Sequence, residues 1–427
     1  MSQEAIAAIE TELKRVALEL APDTTPVFVL ERPKDPSHGD LSTNLAMLLT
    51  KALKVSPRLV AQQIIAKLQI PGSAVARTEI AGPGFVNFWL AQDALASLLH
   101  TIIAAGPAYG RQDFGAGQRV NVEFVSANPT GPLHVGHGRG AAAGDAIGAL
   151  LEWTGHAVTR EFYINDAGVQ IERVIQSLSV RLEQELGRAA EIPEGGYHGA
   201  YLAELAQQLL REHPEWAQLT AEQLLAECRI APTLIRQEQE ELLLALRVKF
   251  DRWSSEQAVR DAGKVETALA LLAAKGLTEE RDGALWLKTS DFGDDKDRVL
   301  RKSDGSLTYF VPDIAYHVDK HDRGFARVID VWGADHHGYI PRMRAVLRAL
   351  GYGEEFFEVA LVQLVKVVRD GEEVRMSKRS GEFVTLRDLM DWVGVDATRY
   401  FFLMRPGQSP FTFDVDLARK QTDENPI

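Results

Sequence analysis

Two histidines, His134 and His137, lie three residues apart at the start of a helix-like segment that follows a strand-like one. Residues at this spacing share one face of a helix, so both imidazoles can point in the same direction. The N-terminus of a helix also presents unpaired N–H groups and the positive end of the helix dipole, which favour phosphate. Gly136 lacks a side chain, so an adenine ring can lie against the backbone there. The pair therefore predicts a site that holds a nucleotide triphosphate.

Three other interpretations of this segment stay open. The histidines can simply cap a buried helix, or they can ligate zinc, although no third ligand is apparent nearby. Gly138 and Gly140, with Glu161 about 20 residues further on, fit the glycine fingerprint of a dinucleotide site. A dinucleotide enzyme would not need the histidine pair, and it would leave a basic loop later in the chain unexplained.

That basic loop lies between Gly371 and Gly381 and predicts a mobile segment with three positive charges. It contains, in order, Arg375, Met376, Ser377, Lys378 and Arg379. The alternative is a solvated cluster of charges with no ligand. A loop of this kind can neutralise phosphate if the fold brings it to the histidines.

The elements around the histidines predict a β-loop-α-β unit. Val120, Val122 and Phe124 alternate as in a strand, and the segment after the histidines is rich in alanine and glycine, as in a long helix. Gly155 is placed to end that helix, and residues 157–164 predict a second strand.

The same sheet is predicted to continue after an insertion. Residues 172–275 are mostly helical in pattern and strongly charged, and strand-like segments resume at 284–287, 328–332 and 357–368. The sequence thus predicts a sheet that a mainly helical insertion interrupts.

The first 110 residues predict a separate, small α+β domain. An amphipathic helix comes first, with its apolar face formed by Ile6, Ile9, Leu13, Val16 and Leu20. We expect a short strand at 27–30, a helix from Ser56 and Pro57 through Leu68, and a strand at 85–90 after a glycine-rich turn.

Composition places the chain among globular proteins. Its 427 residues are too many for one ordinary domain, and no apolar run approaches the ~20 residues of a membrane span. The N-terminus is acidic rather than signal-like, so we expect a cytoplasmic protein. Cys228 is the only cysteine, which excludes an internal disulfide and predicts an inert core residue. The net charge of −13 leaves room for nucleic acid only through a local basic stripe.

Residues 121–137, NVEFVSANPTGPLHVGH, resemble the first signature of class I aminoacyl-tRNA synthetases in its arginyl form. The basic loop is similar to the second class I signature, in which Lys378 matches the key lysine and Arg375 replaces a lysine. The resemblance covers essentially the whole chain. It continues through 162–168 (FYINDAG), 249–253 (KFDRW) and 333–339 (GADHHGY), and 38–41 (HGDL) and 82–85 (GPGF) look like the N-terminal added domain of that family.

The resemblance implies a Rossmann-like doubly wound parallel sheet and an arginine–tRNA ligase. ATP enters as a substrate with Mg²⁺, and no organic prosthetic group is implied. His134, His137 and Lys378 are assigned to the transition state of arginine activation. The residues implied for ATP binding are Gly136, His134, His137, Asp335, Met376, Ser377 and Lys378.

Recognition of a guanidinium requires acceptors with fixed planar geometry, which carboxylates supply. By resemblance Asp313 and Tyr309 recognise this group. The rest of the implied arginine pocket is Glu123, Ser126, Asn128 and His336.

Simpler roles stay open for several of these residues. Asp313 can cap a helix that starts at Ile314, Tyr309 can be a core residue, and His337 can be a core histidine. Glu123 is harder to dismiss, because a carboxylate on an inward strand face needs a charged partner.

The domain organisation that follows is an N-terminal tRNA-contacting domain at 1–110, a catalytic domain at 111–405, and at 406–427 the start of a junction to a helical anticodon-binding domain that the chain lacks. tRNA(Arg) is the expected partner, and a monomer is expected. The alternatives are a nucleotidylyltransferase that makes an adenylate without tRNA, or a tRNA-binding paralogue without full charging activity.

Overall fold

The computed structural model describes residues 3–374 and 384–426, so Met376, Ser377 and Lys378 lie outside the described residues. The chain divides into two compact units, Met1–Arg111 and Gln112–Ile427. Neither described part of the chain contains a helix long and apolar enough to cross a membrane.

The first unit packs helices on a four-stranded antiparallel sheet with the strand order β1-β2-β4-β3. Its elements are α1 (Gln3–Leu20), β1 (Leu30–Glu31), β2 (Leu41–Thr43), α2 (Leu45–Leu53), α3 (Pro57–Lys67), β3 (Val75–Ala81), β4 (Phe85–Leu90) and α4 (Gln92–Ala105). Ile9, Leu13 and Val16 are fully buried, which confirms the predicted apolar face of α1. The predicted strand at 27–30 is wrong except for its last residue. Val27 is 90% exposed, and β-branching without a packing partner does not make a strand.

The second unit contains the remaining elements, with a five-stranded sheet at its centre. They are β5 (Arg119–Glu123), α5 (Val135–Trp153), β6 (Ala157–Ile164), α6 (Val169–Glu185), α7 (Ala200–Glu212), α8 (Ala221–Glu227), α9 (Ala231–Ala245), β7 (Arg252–Ser255), α10 (Glu256–Asp261), α11 (Lys264–Ala274), β8 (Thr278–Arg281), β9 (Ala284–Leu287), β10 (Arg298–Arg301), α12 (Phe310–Asp322), β11 (Arg327–Gly333), α13 (Ile340–Ala349), β12 (Phe357–Val362), β13 (Val365–Arg369), β14 (Glu372–Glu373), α14 (Leu386–Val393), α15 (Val395–Leu403), β15 (Phe411–Asp414) and α16 (Val415–Arg419).

The strand order of the central sheet is β12-β11-β5-β6-β7, and every neighbouring pair is parallel. The chain first winds outward from β5 through β6 to β7 and later returns to the other side of β5 with β11 and β12. This is a doubly wound sheet, as predicted, and its switch point lies between β5 and β11. Ligands of such sheets bind outside the carboxyl ends of the strands at that point.

Three strand predictions need correction. The segment at 284–287 forms β9, but it pairs with β8 and β10 in a separate antiparallel sheet. The predicted strand at 357–368 is two strands, and only β12 belongs to the central sheet. β7 lies inside the region predicted as mostly helical and forms one edge of the central sheet. Alternation within four residues indicates a strand but not its partner, and β7 is too short to stand out from its charged surroundings.

Glycines in α5 allow this helix to lie directly on β5 and its following residue. A Cβ atom at Gly144 would lie 2.1 Å from the ring of Phe124, which is buried. At Gly140, on the same helix, a Cβ atom would meet nothing within 4 Å. Backbone close approach of this kind fixes where the N-terminus of α5 lies.

We therefore expect Gly144→Ala to lower the free energy of unfolding by about 1–3 kcal/mol through overpacking, against a gain in helix propensity of up to about 1 kcal/mol. Urea unfolding of the whole chain measures the change. Gly140→Ala is the matched control and should leave stability unchanged or raise it slightly. Equal effects of the two substitutions would contradict a tight contact between α5 and Phe124.

Candidate active site

His134 and His137 cap the N-terminus of α5 with their own ring nitrogens. Nδ1 of His134 accepts hydrogen bonds from the N–H groups of Gly136 at 3.1 Å and His137 at 3.4 Å. Nδ1 of His137 accepts from the N–H group of His134 at 3.2 Å. The two rings stack with their centroids 3.7 Å apart. Because each Nδ1 is an acceptor, a neutral ring carries its proton on Nε2.

Burial and, to a smaller extent, the neighbouring His134 lower the pKa of His137 to about 3. His137 is therefore neutral near pH 7. It can donate a hydrogen bond from Nε2 to a phosphate oxygen, but it does not contribute a positive charge. The capping alternative is thus correct as far as Nδ1 is concerned, and the same bonds fix which nitrogen a ligand can meet.

The dinucleotide interpretation is wrong. Gly138 and Gly140 lie inside α5 rather than in a turn that precedes a helix. A Cβ atom at Gly138 would come within 2.5 Å of Leu386, so this glycine serves helix packing. Glu161 is buried in β6, where it accepts two hydrogen bonds from Arg323 and cannot reach a ribose.

The segment that follows the basic loop lies against the histidine motif. The N–H group of Leu386 donates to the carbonyl of Leu133 at 2.8 Å, and the N–H group of Val135 donates to the carbonyl of Val384 at 3.4 Å. The described residue nearest the basic loop on its C-terminal side is therefore hydrogen-bonded beside His134. This arrangement supports, without locating Lys378, the prediction that both signatures serve one site.

The carboxyl end of β5 turns sharply through two residues in the left-handed region. Val125 has φ 68° and Ser126 has φ 43°. For a β-branched residue this conformation is a real outlier, and such strain is concentrated at functional sites. The turn brings Ser126 Oγ back to Glu123, where it donates to Oε1 at 2.8 Å and accepts from the N–H group of Tyr163 at 3.1 Å.

Glu123 has the charged partner that its position requires. It is 7% exposed, and the ammonium group of Lys320 donates to its Oε2 at 2.5 Å. The same ammonium group donates to Asp330 at 3.0 Å. Burial raises the pKa of the Glu123 carboxyl, and the charge of Lys320 opposes that rise.

Asp313 lies in the first turn of α12, one residue after Pro312. Because α12 starts at Phe310, Asp313 is not the cap of a helix that starts at Ile314, and that alternative is wrong. The hydroxyl of Tyr339 donates to its Oδ2 at 2.6 Å. The pKa of Asp313 is raised to about 6, mainly by burial and also by the charges of Glu256 and Glu123. The Tyr339 hydrogen bond and the neighbouring His317 oppose the rise.

Glu256 and Tyr163 also belong to this site, and sequence analysis missed both. Glu256 is 5% exposed at the start of α10, and Arg260 donates to it at 2.6 Å. The Tyr163 hydroxyl is buried and has no hydrogen-bond partner among the described residues. Burial raises the pKa of Tyr163, and the charges of Glu256, Asp313 and Glu123 act in the same direction. Glu256 could have been identified from its position directly after β7, but the sequence pattern did not predict that strand.

The helical insertion holds the loop between β5 and α5. Gln239 on α9 donates to the carbonyls of Asn128 at 3.1 Å and Gly131 at 2.8 Å. Tyr201 on α7 donates to the carbonyl of Thr130 at 2.5 Å. The side chain of Asn128 donates to Gln170 at 2.6 Å. The insertion therefore positions the loop that leads into His134.

The remaining predicted residues lie at the surface. The Tyr309 side chain is 85% exposed, so the core alternative is wrong. Asp335 and His336 follow β11 and are exposed, with 3.6 Å between Asp335 Oδ2 and His336 Nε2. His337 is exposed as well, which rules out a core histidine.

Cys228 is fully buried, as predicted, and burial raises the pKa of its thiol to about 12.

Comparison with known proteins decides the family. The family described as "tRNA synthetases class I (R), catalytic domain" matches residues 99–400, and "Arginyl tRNA synthetase N terminal domain" matches residues 3–90. The chain is 49% identical over 95% of its length, and 73% of the relative's length, to "Arginine--tRNA ligase 1" of Halalkalibacterium halodurans. The chain belongs to the arginyl-tRNA synthetase family.

Other members of this family agree. "Arginine--tRNA ligase" of Syntrophotalea carbinolica is 49% identical over 96% of this chain and 74% of its own. A solved structure described as an arginyl tRNA synthetase from Campylobacter jejuni is 34% identical, with a TM-score of 0.71 over 78% of this chain and 73% of that one. The arginyl-tRNA synthetase of Thermus thermophilus, at 22% identity and a TM-score of 0.69 over 96% of this chain and 77% of that one, shows the shared fold.

Proposed function

We propose that the chain is an arginine–tRNA ligase that activates L-arginine with ATP and transfers the arginyl group to tRNA(Arg), releasing AMP and pyrophosphate. The observation that carries this is the set of carboxylates that includes Glu123 at the carboxyl end of β5, the strand whose loop leads into a helix N-terminus capped by two histidines. Its relatives named arginine–tRNA ligases match it over almost its whole length.

In the first reaction a carboxylate oxygen of arginine attacks the α-phosphorus of ATP in line, and the bond to the bridging oxygen of pyrophosphate breaks. Negative charge spreads over the phosphate oxygens, so positioning and charge stabilisation supply the catalysis. The Nε2–H groups of His134 and His137 donate to these oxygens, and Lys378 neutralises the departing pyrophosphate. ATP arrives as its magnesium complex, with the metal carried on the triphosphate. No covalent bond to the protein forms.

In the second reaction the 2′- or 3′-hydroxyl of the terminal adenosine of tRNA attacks the arginyl carbonyl of the adenylate. The ester forms, AMP leaves with the bonding electrons, and the hydroxyl proton passes to solvent or to AMP. The N-terminal unit contacts the tRNA. We further propose that the protein acts as a cytoplasmic monomer.

The arginine side chain is recognised by charge matching. The charges of three carboxylates, Glu123, Glu256 and Asp313, act on Tyr163. Two of them already have cations: Glu123 has Lys320 and Glu256 has Arg260. Asp313 accepts only the Tyr339 hydroxyl among the described side chains. Asp313 is therefore the carboxylate that the guanidinium of bound arginine can neutralise. A planar guanidinium, with its two parallel N–H donors, pairs with a carboxylate better than an ammonium group does.

The other residues assigned by resemblance complete the proposed site. Arginine contacts Ser126, Asn128, Tyr309 and His336, and ATP contacts Gly136, Asp335, Met376 and Ser377. Tyr309, Asp335 and His336 are exposed, so a ligand can reach their side chains from solvent.

Charging of tRNA(Arg) with labelled arginine, together with pyrophosphate exchange with and without tRNA, tests the proposal. We expect charging, and an exchange reaction that needs arginine and increases strongly with tRNA. Lysine and citrulline should not replace arginine, because one lacks the planar fork and the other lacks the charge. Exchange that is insensitive to tRNA, with no charging, would identify a nucleotidylyltransferase instead. Binding of tRNA with neither reaction would identify a binding paralogue.

A further inference from the structure

One face of α12 carries three polar residues, two of which are buried. Asp313, His317 and Lys320 are spaced four and three residues apart, which places them in a row along one side of the helix. His317 is 4% exposed and Lys320 is not exposed at all. A fully buried lysine is rare unless it is paired, so Lys320 requires an explanation.

Lys320 bridges two carboxylates that lie side by side on neighbouring strands. Glu123 on β5 and Asp330 on β11 are directly opposed in the parallel register at the switch point of the sheet. Their repulsion would be strong in a dry interior. The Lys320 ammonium group donates to Glu123 at 2.5 Å and to Asp330 at 3.0 Å, so it removes that repulsion.

His317 contacts the same cluster from α12. Its Nδ1 lies 2.8 Å from the carbonyl oxygen of Asp313, and its Nε2 lies 3.0 Å from the Asp330 carboxylate. Asp330 therefore has a second hydrogen-bond partner besides Lys320, whereas Glu123 pairs with Lys320 alone among the described side-chain cations.

We propose that Lys320 is a positioning residue that sets the net charge of the arginine pocket by holding Glu123 ionised and internally neutralised, which leaves Asp313 as the carboxylate for the guanidinium. This inference rests on the proposed function of the site. Lys320 acts through Glu123 and does not itself meet the substrate.

Loss of Lys320 has a predictable consequence at Glu123. Without the ammonium group, a buried carboxyl next to other acids takes up a proton. A protonated Glu123 donates from one oxygen and no longer presents the same two acceptors to Ser126 and the substrate. Arginine binding should then weaken at neutral pH and recover as the pH rises and Glu123 ionises. The groups whose charges act on Glu123 or that adjoin it are Lys320 and His317 of α12, Asp313 and Tyr316 of the same helix, Asp330 of β11 and Tyr163 of β6.

The test compares Lys320→Met with Lys320→Met/Asp330→Asn. The single variant leaves two buried carboxylates without their cation and can fail to fold, whereas the double variant removes one charge of each sign. Calorimetric titration with L-arginine and the exchange reaction are both measured from pH 6 to 9. We expect the arginine Kd and KM of the double variant to rise about ten- to a hundredfold at pH 7, with the ATP KM little changed. Arginine affinity should then increase with pH, unlike that of the wild type above pH 7.

Two controls separate this role from a structural one. Lys264→Met removes the lysine that pairs with Asp319, also on α12, and should leave arginine affinity unchanged. In a Glu123→Gln background, Lys320→Met should raise the arginine Kd little further, because the side chain through which Lys320 acts is already neutral. Wild-type arginine affinity in the double variant, or equal losses in the two backgrounds, would overturn the inference. Arginine binding by a wild type that does not charge tRNA would reject the proposed function but leave this test valid.

Discussion

Replacement of Asp313 by asparagine is expected to lower kcat/KM for arginine by about two to three orders of magnitude, mostly through a higher KM. Asparagine keeps the shape of the side chain and its hydrogen bond from Tyr339, but it removes a carboxylate that forms no ion pair with an Arg or Lys side chain among the described residues. Loss of one member of a buried charged pair costs about 2–5 kcal/mol. The exchange reaction and calorimetric titration with arginine measure the effect, and the ATP KM should stay within about twofold of the wild-type value.

The pH dependence of arginine binding gives an independent reading of the same group. Burial raises the pKa of Asp313 to about 6, so the carboxyl is protonated below that value and ionised above it. Arginine affinity of the wild type should therefore fall about tenfold per pH unit below pH 6, and that of Asp313→Asn should not.

Stability distinguishes this effect from unfolding. Because its pKa is raised, ionised Asp313 disfavours the folded state at neutral pH, so the asparagine variant should be at least as stable as the wild type. Asp322→Asn, an exposed carboxylate on the same helix, is the matched control and should change neither measurement. Unchanged arginine affinity in Asp313→Asn would show that another group recognises the guanidinium.

The part of the site that lies within one local unit could be predicted from the sequence. This unit consists of β5, the histidine motif and α5, which follow each other directly in the chain. The spacing of apolar residues and the positions of glycines identify such units. Glu123 was expected to need a charged partner because a strand carried it inward, and Lys320 is that partner.

The identity of the partner could not be predicted. Lys320 lies 197 residues after Glu123 in the chain. It is on an amphipathic helix, and charged residues of such a helix are expected to face solvent. Only the order of strands brings β11 next to β5, and alternation does not specify that order. Glu256 was missed for a related reason, since the strand that carries it into the site is four residues long.

Exposure was equally hidden in the sequence. Tyr309 and His336 belong to motifs that resemble substrate-binding segments, yet both side chains lie largely in solvent. Resemblance identifies which residues a family uses, whereas the exposure of each side chain depends on contacts across the whole fold.

Substitution of His137 is expected to separate catalysis from helix capping. His137→Ala should lower the exchange rate about 10²- to 10³-fold, the effect of removing one donor from developing phosphate charge, while both KM values change little. The rate of the wild type should show no ionisation of His137 between pH 6 and 8, since its pKa lies near 3. Glutamine places an N–H group near the position of Nε2, whereas asparagine places an acceptor near the position of Nδ1, which meets the His134 N–H group.

The two roles of His137 therefore predict different rankings of the glutamine, asparagine and alanine variants. If Nε2–H donates to the phosphate, the glutamine variant retains the highest exchange rate, and the asparagine and alanine variants are both slower. If His137 only caps α5, asparagine preserves both rate and stability, and glutamine resembles alanine. Single-turnover rates of adenylate formation decide between these rankings when they are measured beside the thermal unfolding midpoint of each variant. The second ranking would mean that His137 takes no part in the reaction and that only His134 and the basic loop contact the triphosphate.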